Sequence, residues 1–151
     1  MIDQVLRPYK TAVKKYLENP VNKNTRCKVA RNLLIGAIMN LIDNSIYWLD
    51  QKAFKKLKAN EPFTKKIFID VITDESFIHI IVADNGTGIL LPIEDITEPF
   101  VTGKKNGAGM GLGLHIASEV LSAQGGKLSF PDWGDFDIPE EFEQGAKVVL
   151  S

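Results

Sequence analysis

Two asparagines one helical turn apart, Asn40 and Asn44, interrupt an otherwise apolar stretch of the chain. Asparagine is a poor helix former that places a short polar group close to the backbone, so a pair at this spacing calls for a reason. Either both amides bond to neighbouring loops, or their oxygens serve a hard cation such as magnesium, for which an amide oxygen is a suitable ligand. A second group is Asp84, which ends the apolar run Val82-Ala83 and leads into Asn85-Gly86-Thr87-Gly88-Ile89. A carboxylate buried there needs a donor, and an exocyclic amine such as adenine's would serve. The glycines would let backbone approach a flat ring closely, although turn chemistry alone also accounts for each of these residues. In a third group, Gly107, Gly109, Gly111 and Gly113 alternate with Ala108, Met110, Leu112 and Leu114. Amides freed by glycine ahead of a helix N-terminus form an anion site that suits phosphate, and Lys104 and Lys105 stand just upstream to add charge.

The rest of the chain must hold these groups in place. With 151 residues, 44% hydrophobic and 25% charged, the composition is that of one globular domain, which excludes disordered, collagen-like and coiled-coil classes. A formal net charge of −1 gives no overall electrostatic case for nucleic acid or an anionic membrane. The single cysteine, Cys27, excludes an intrachain disulfide and a multi-cysteine metal site. No membrane-length apolar run and no basic-then-apolar leader is visible, so the expected location is cytoplasmic.

Residues 1–24 read as an N-terminal helix and loop, a linker or docking segment rich in Arg7, Lys10, Lys14, Lys15 and Lys23; residues 25–151 read as the functional domain. Helical periodicity runs from about Thr25 to Lys58. With Asn40 at zero, Leu34, Ile38, Leu41, Ile42, Ile46 and Leu49 fall between about 100° and 240°, while Gly36, Asn40, Asn44 and Tyr47 cluster within about 40° of zero. Alternation predicts strands over 66–73 and 77–83 around the turn Asp74-Glu75-Ser76. Residues 89–109, with Pro92, Pro99 and several glycines, read as a loop of about twenty residues, a length usually tied to function. A helix over about 111–123 and strands over 127–130 and 147–150, the latter two separated by the acidic loop Asp132–Glu143, complete the chain. This order predicts an α+β fold, a two-layer α/β sandwich with helices on one face of a mixed, mainly antiparallel sheet.

Together the three groups resemble the GHKL superfamily of ATPases and kinases (gyrase, the ninety-kilodalton heat-shock chaperone, histidine kinases and MutL). Asn40-Leu41-Ile42-Asp43-Asn44-Ser45 looks like its N box, Asp84-Asn85-Gly86-Thr87-Gly88-Ile89 its first glycine box, and Gly109-Met110-Gly111-Leu112-Gly113-Leu114 its second. Glu98-Pro99-Phe100-Val101-Thr102-Gly103-Lys104 resembles the F box of histidine kinases. The resemblance covers residues from about Arg31 to Leu150 and implies a Bergerat fold binding ATP and Mg2+. In it Asn44 would ligate the metal, Asp84 would accept from the adenine amine, and Gly86, Gly88 and Ile89 would shape the base pocket. The segment from about Leu90 to Gly109 would be a mobile lid. Thr102, Gly107, Gly109, Gly111, Leu112, Gly113 and Leu114 would contact the nucleotide, and Asn40 and Lys104 would be the catalytic positions.

The gyrase, chaperone and MutL branches usually carry a glutamate, the base that activates water, where this chain has Asn40. An amide cannot take that proton at neutral pH. Histidine kinases typically carry asparagine there, so the resemblance implies phosphoryl transfer to a histidine. His79, within a strand, and His115, at a helix start, lack the following acidic residue of an acceptor histidine, so the acceptor is expected on another domain. The implied partners are that phosphoacceptor or another neighbouring domain of a longer chain, and a response regulator. The length then reads as one catalytic module of a larger protein. The alternative is a nucleotide-gated switch within a chaperone-like or MutL-like assembly.

Overall fold

The computed structural model describes residues 28–99 and 112–151. The expectations for residues 1–24, and those for Thr102, Lys104, Gly107, Gly109 and Gly111, lie outside these residues.

The long helix, α1, spans Arg31–Lys58. It excludes the described stretch 28–30, which the periodicity places in the helix, because Ala30 is extended (φ −71°, ψ 96°) and its N–H donates to Gln124 Oε1 at 2.6 Å. Lys55, Lys56 and Lys58 in its last turn complement the negative end of the helix dipole. Asn60, at φ 57°, then turns the chain away. A hairpin follows, β1 (Ile67–Thr73) and β2 (Ile78–Asp84), registered with Ile67 opposite Asp84 and Thr73 opposite Ile78. Asp84 belongs to the strand and not to the turn after it, since its N–H donates to Ala146 O at 3.0 Å. A single helical turn, α2 (Ile93–Ile96), occupies part of the stretch predicted as loop. After it come α3 (Gly113–Ser122), the two-residue β3 (Leu128–Ser129) and β4 (Lys147–Leu150).

The sheet order is β1-β2-β4-β3 and every pairing is antiparallel, so the parallel component anticipated in a mixed sheet is absent among the described strands. One face packs on the helices. Ile67, Ile69, Val71, Ile80, Val82 and Leu150 meet Leu34, Ile38, Leu41, Ile42 and Leu49 of α1 and Ala117 and Leu121 of α3. The other face is also covered. The acidic loop folds into two 3-10 turns, Trp133–Asp135 and Glu140–Phe142, whose neighbourhood delivers Ile138 and Phe142 onto Phe68, Ile81, Ala83 and Val149. Phe142 is fully buried with its ring centre 5.6 Å from that of Phe68. Truncating such a phenylalanine to alanine costs about 3–5 kcal/mol. The carboxylates of this loop therefore edge a small second core, which explains why β1 and β2 read as nearly continuous apolar runs. Among the described residues no helix is long and apolar enough to cross a membrane.

Candidate functional site

At the end of β2 the carboxylate of Asp84 is 1% exposed. Its Oδ1 accepts from Gly86 N–H at 2.9 Å and from Ala146 N–H at 3.3 Å, and the Ser45 hydroxyl of α1 donates to the same carboxylate. Burial pushes its pKa up, against the lowering effect of those three donors and the nearby Lys147 ammonium. An ionised carboxylate offers roughly four acceptor positions. Three protein donors leave about one of them for something else.

The turn after Asp84 is locked to its surroundings from several sides. A Cβ at Gly86 would lie 2.8 Å from Asp84 Oδ1, so any side chain there would displace the carboxylate. Gly88 adopts φ +80°, a conformation that other residues rarely hold. The Asn85 side chain donates to Thr64 O at 2.9 Å and accepts from Lys66 N–H at 2.9 Å, stapling the turn to the approach to β1. From α1, Lys52 Nζ donates to Asn85 O at 2.8 Å and Gly86 O at 3.2 Å while lying 5.0 Å above the Phe63 ring. Burial lowers the Lys52 pKa, Lys56 lowers it further, and Asp84 opposes both.

Asn40 and Asn44 lie half-buried on α1. Asn40 sits beside the first residue of α3, where a Cβ on Gly113 would come 3.5 Å from the Asn40 Cβ and Cγ. No side chain caps the α3 N-terminus at Leu112, close to that amide. Leu114 packs against the main core, a structural place for a residue expected at the nucleotide. Ile89 is half-buried after Gly88. His115 Nδ1 pairs with Thr97 O at 3.0 Å, tying the start of α3 to the segment after α2. The fold thus brings Asn40, Gly113 and the N-terminus of α3 together, and separately assembles Asp84, Gly86 and Gly88.

The family model "Histidine kinase-, DNA gyrase B-, and HSP90-like ATPase" matches residues 30–151. The chain belongs to this ATPase family. Over 63 residues it is 38% identical to the two-component sensor PprA of Pseudomonas aeruginosa, a match covering 41% of this chain and 7% of that sensor. Among solved structures, a mycobacterial sensor histidine kinase, MprB, aligns at TM-score 0.66 with 22% identity, covering 99% of this chain and 90% of that one. A nucleotide-free catalytic domain of the histidine kinase ThkA aligns at 0.65 with 21% identity, covering 99% and 88%. The ATP-binding domain of PrrB from Mycobacterium tuberculosis aligns at 0.61 with 20% identity, covering 99% and 90%. At such identities the likeness is one of fold, the α+β sandwich with an open antiparallel sheet.

Around Asp84 and its turn the structure gathers residues that the spacing argument passed over. Ser45 and Lys52 fall at about 140° and 120° on the α1 wheel, inside the apolar arc, and a polar residue in a core arc is a visible signal. Gly145 has none. Its importance comes from approach, since a Cβ there would sit 1.6 Å from the Asp84 carbonyl oxygen. Among the described residues there is no cluster of three or more His, Cys, Asp or Glu fit for a metal. A cation here would depend on an amide oxygen and on oxygens of a bound anion, a donor set that suits magnesium held with phosphates.

Proposed function

We propose that this domain binds Mg-ATP and transfers the γ-phosphoryl group to a histidine on a separate domain. The observation that carries the reading is Asp84: a carboxylate sealed from water, held by three protein donors, with acceptor capacity to spare. A buried carboxylate with spare capacity is matched by a ligand that brings an N–H, and the exocyclic amine of adenine is such a group. The rigid glycine turn beside it suits a flat ring, and the uncapped start of α3 suits phosphate oxygens. Asn44 would hold magnesium together with the phosphates, and the metal would offset their charge during transfer.

Asn40 separates transfer to a protein from hydrolysis. Standing at the start of α3, it offers an amide, which can orient a phosphate or a water but cannot take its proton. A histidine nitrogen of the partner needs no such base. It forms the N–P bond as the bond from the γ-phosphorus to the bridging oxygen breaks, and ADP leaves with the electron pair. Both histidines of this chain are engaged, His79 between Ser151 Oγ and Asp74 and His115 on Thr97 O, in keeping with an acceptor elsewhere. Two-component partners, an acceptor domain and a response regulator, follow from the same reading.

Incubating the full-length parent protein with γ-labelled ATP tests the proposal. Acid-labile, base-stable label on protein is expected. Free phosphate without labelled protein, or binding alone, would overturn phosphoryl transfer in favour of a nucleotide-gated switch.

A further inference from the structure

The last buried side chain of α1 is Leu49, yet the helix runs on to Lys58, and residues 57–62 are all exposed. The helix therefore ends as a tip standing clear of the core. On this tip Phe54 and Leu57, neighbours one turn apart, are 57% and 73% exposed. Neither joins either apolar core, and a lysine or glutamine at either position would continue the helix as well without facing apolar area to water. The charge around them is just as uneven. Residues 50–66 hold six lysines against Asp50 and Glu61, in a chain whose net charge is −1. Lys52 serves the carbonyls of Asn85 and Gly86, Lys56 pairs with Glu61, Lys65 with Asp50 and Lys66 with Glu141. The other two stand beside the apolar pair. Lys55 is exposed with no ion-pair partner among the described residues, and Lys58 Nζ lies 4.5 Å from the centre of the Phe54 ring. The helix dipole accounts for cations at this end, but not for Phe54 and Leu57.

We propose that this tip of α1 is a docking surface for a bilayer of anionic phospholipid. A projecting tip presents its two apolar side chains outward, and a flat, deformable apolar phase takes them without a complementary pocket. The bilayer interface layers negative headgroups over hydrocarbon, which matches ammonium groups held at the level of an apolar ring. Phe54 and Leu57 enter the boundary between headgroups and hydrocarbon, while the ammonium groups of Lys55 and Lys58 stay with the headgroup oxygens. The net charge of the whole chain does not oppose this, because salt confines the attraction to charges within about 10 Å of the surface. Two apolar side chains and two free cations make a reversible contact and not an anchor. The surface is independent of the ATP reading given above.

Co-sedimentation of the 151-residue chain with vesicles tests this, using phosphatidylcholine alone and phosphatidylcholine with roughly one-third phosphatidylserine, both at about 0.1 M salt. Wild type is expected on the anionic vesicles only, and to come off as the salt is raised to about 0.5 M. The double variant Lys55→Glu, Lys58→Glu is expected to weaken this binding about thirtyfold, and Phe54→Ser, Leu57→Ser about tenfold, both with unchanged melting midpoints. No binding by wild type, equal binding to neutral vesicles, or wild-type binding by either double variant overturns the proposal; full binding by both variants would move the contact to the basic residues before Lys28. If the Phe54→Ser, Leu57→Ser variant melts lower than wild type, the Lys55→Glu, Lys58→Glu variant decides alone. Self-association of wild type without lipid, abolished by Phe54→Ser, Leu57→Ser, would make the tip a contact between copies and likewise overturn the proposal.

Discussion

The two ends of β2 each carry an aspartate, and the two are chemically opposite. Asp74, in the turn before the strand, is exposed, so water can take any acceptor position that its protein partners leave. Its Oδ1 accepts from Ser76 and Phe77 N–H, both at 2.8 Å, and its Oδ2 faces His79 Nε2 at 2.6 Å. The His79 contact and then the two amides bring its pKa down to about 2. His79 in turn meets Ser151 Oγ at 2.7 Å, so the cluster clasps the hairpin to the end of β4. A groove of about 490 Å³ lies beside it, lined by residues including Val29, Leu34, Phe77, Leu121 and Leu150. At the other end Asp84 is buried, its pKa is raised, and acceptor capacity remains. A carboxylate whose remaining acceptor position faces water serves here as a structural clasp. One that has been taken out of water and only partly repaired is poised for a ligand.

Breaking the Asp84 end should have the largest effect. Asp84→Ala is expected to abolish measurable ATP binding by calorimetry, because it removes a charged acceptor worth about 1.5–3 kcal/mol and opens the pocket to water. The raised pKa of Asp84 predicts that its contribution to stability is full below the ordinary 3.8 and is lost as pH rises through the folded-state value. Asp84→Asn should remove that part of the pH dependence in denaturant titrations. Next in size is Gly145→Ala, which forces backbone apart at the 1.6 Å approach to Asp84 O; a loss of about 2–4 kcal/mol of stability is expected in urea melts. Lys52→Met should free the turn after Asp84 and weaken ATP about five- to tenfold, with a smaller loss of stability than Gly145→Ala.

The smallest effect belongs to the other end. Since the folded pKa of Asp74 lies below 3.8, its contribution is full above that value and is lost as pH falls towards about 2. Asp74→Asn should flatten the acid limb of thermal stability in that window and leave ATP affinity unchanged. A change in ATP affinity would break the contrast between the two ends.

Much of the fold was legible along the chain. Periodicity 3.6 gave α1 and its core arc, alternation gave the hairpin, and Gln124-Gly125-Gly126 marked the stop of α3. These signals are local, so a linear reading captures them. The boundaries moved where a distant residue intervened, as when Gln124 took the Ala30 N–H and Ala146 drew Asp84 into the strand. The packing role of the acidic loop was not legible for the same reason. Its charges are near neighbours in sequence, while the partners of Ile138 and Phe142 lie on strands β1, β2 and β4.

The sequence by itself determined the family, the element order and the candidate residues Asn40, Asn44, Asp84, Gly86 and Gly88, because these rest on residue type and spacing. Only the tertiary structure decided that Asp84 is closed off from water, that Ser45 and Lys52 turn from the core arc towards it and its turn, and that Phe54 and Leu57 at the end of α1 stay exposed. Burial, pKa and hydrogen-bond saturation depend on what other segments bring to within a few ångströms, and that distance is set by the packed sheet and helices.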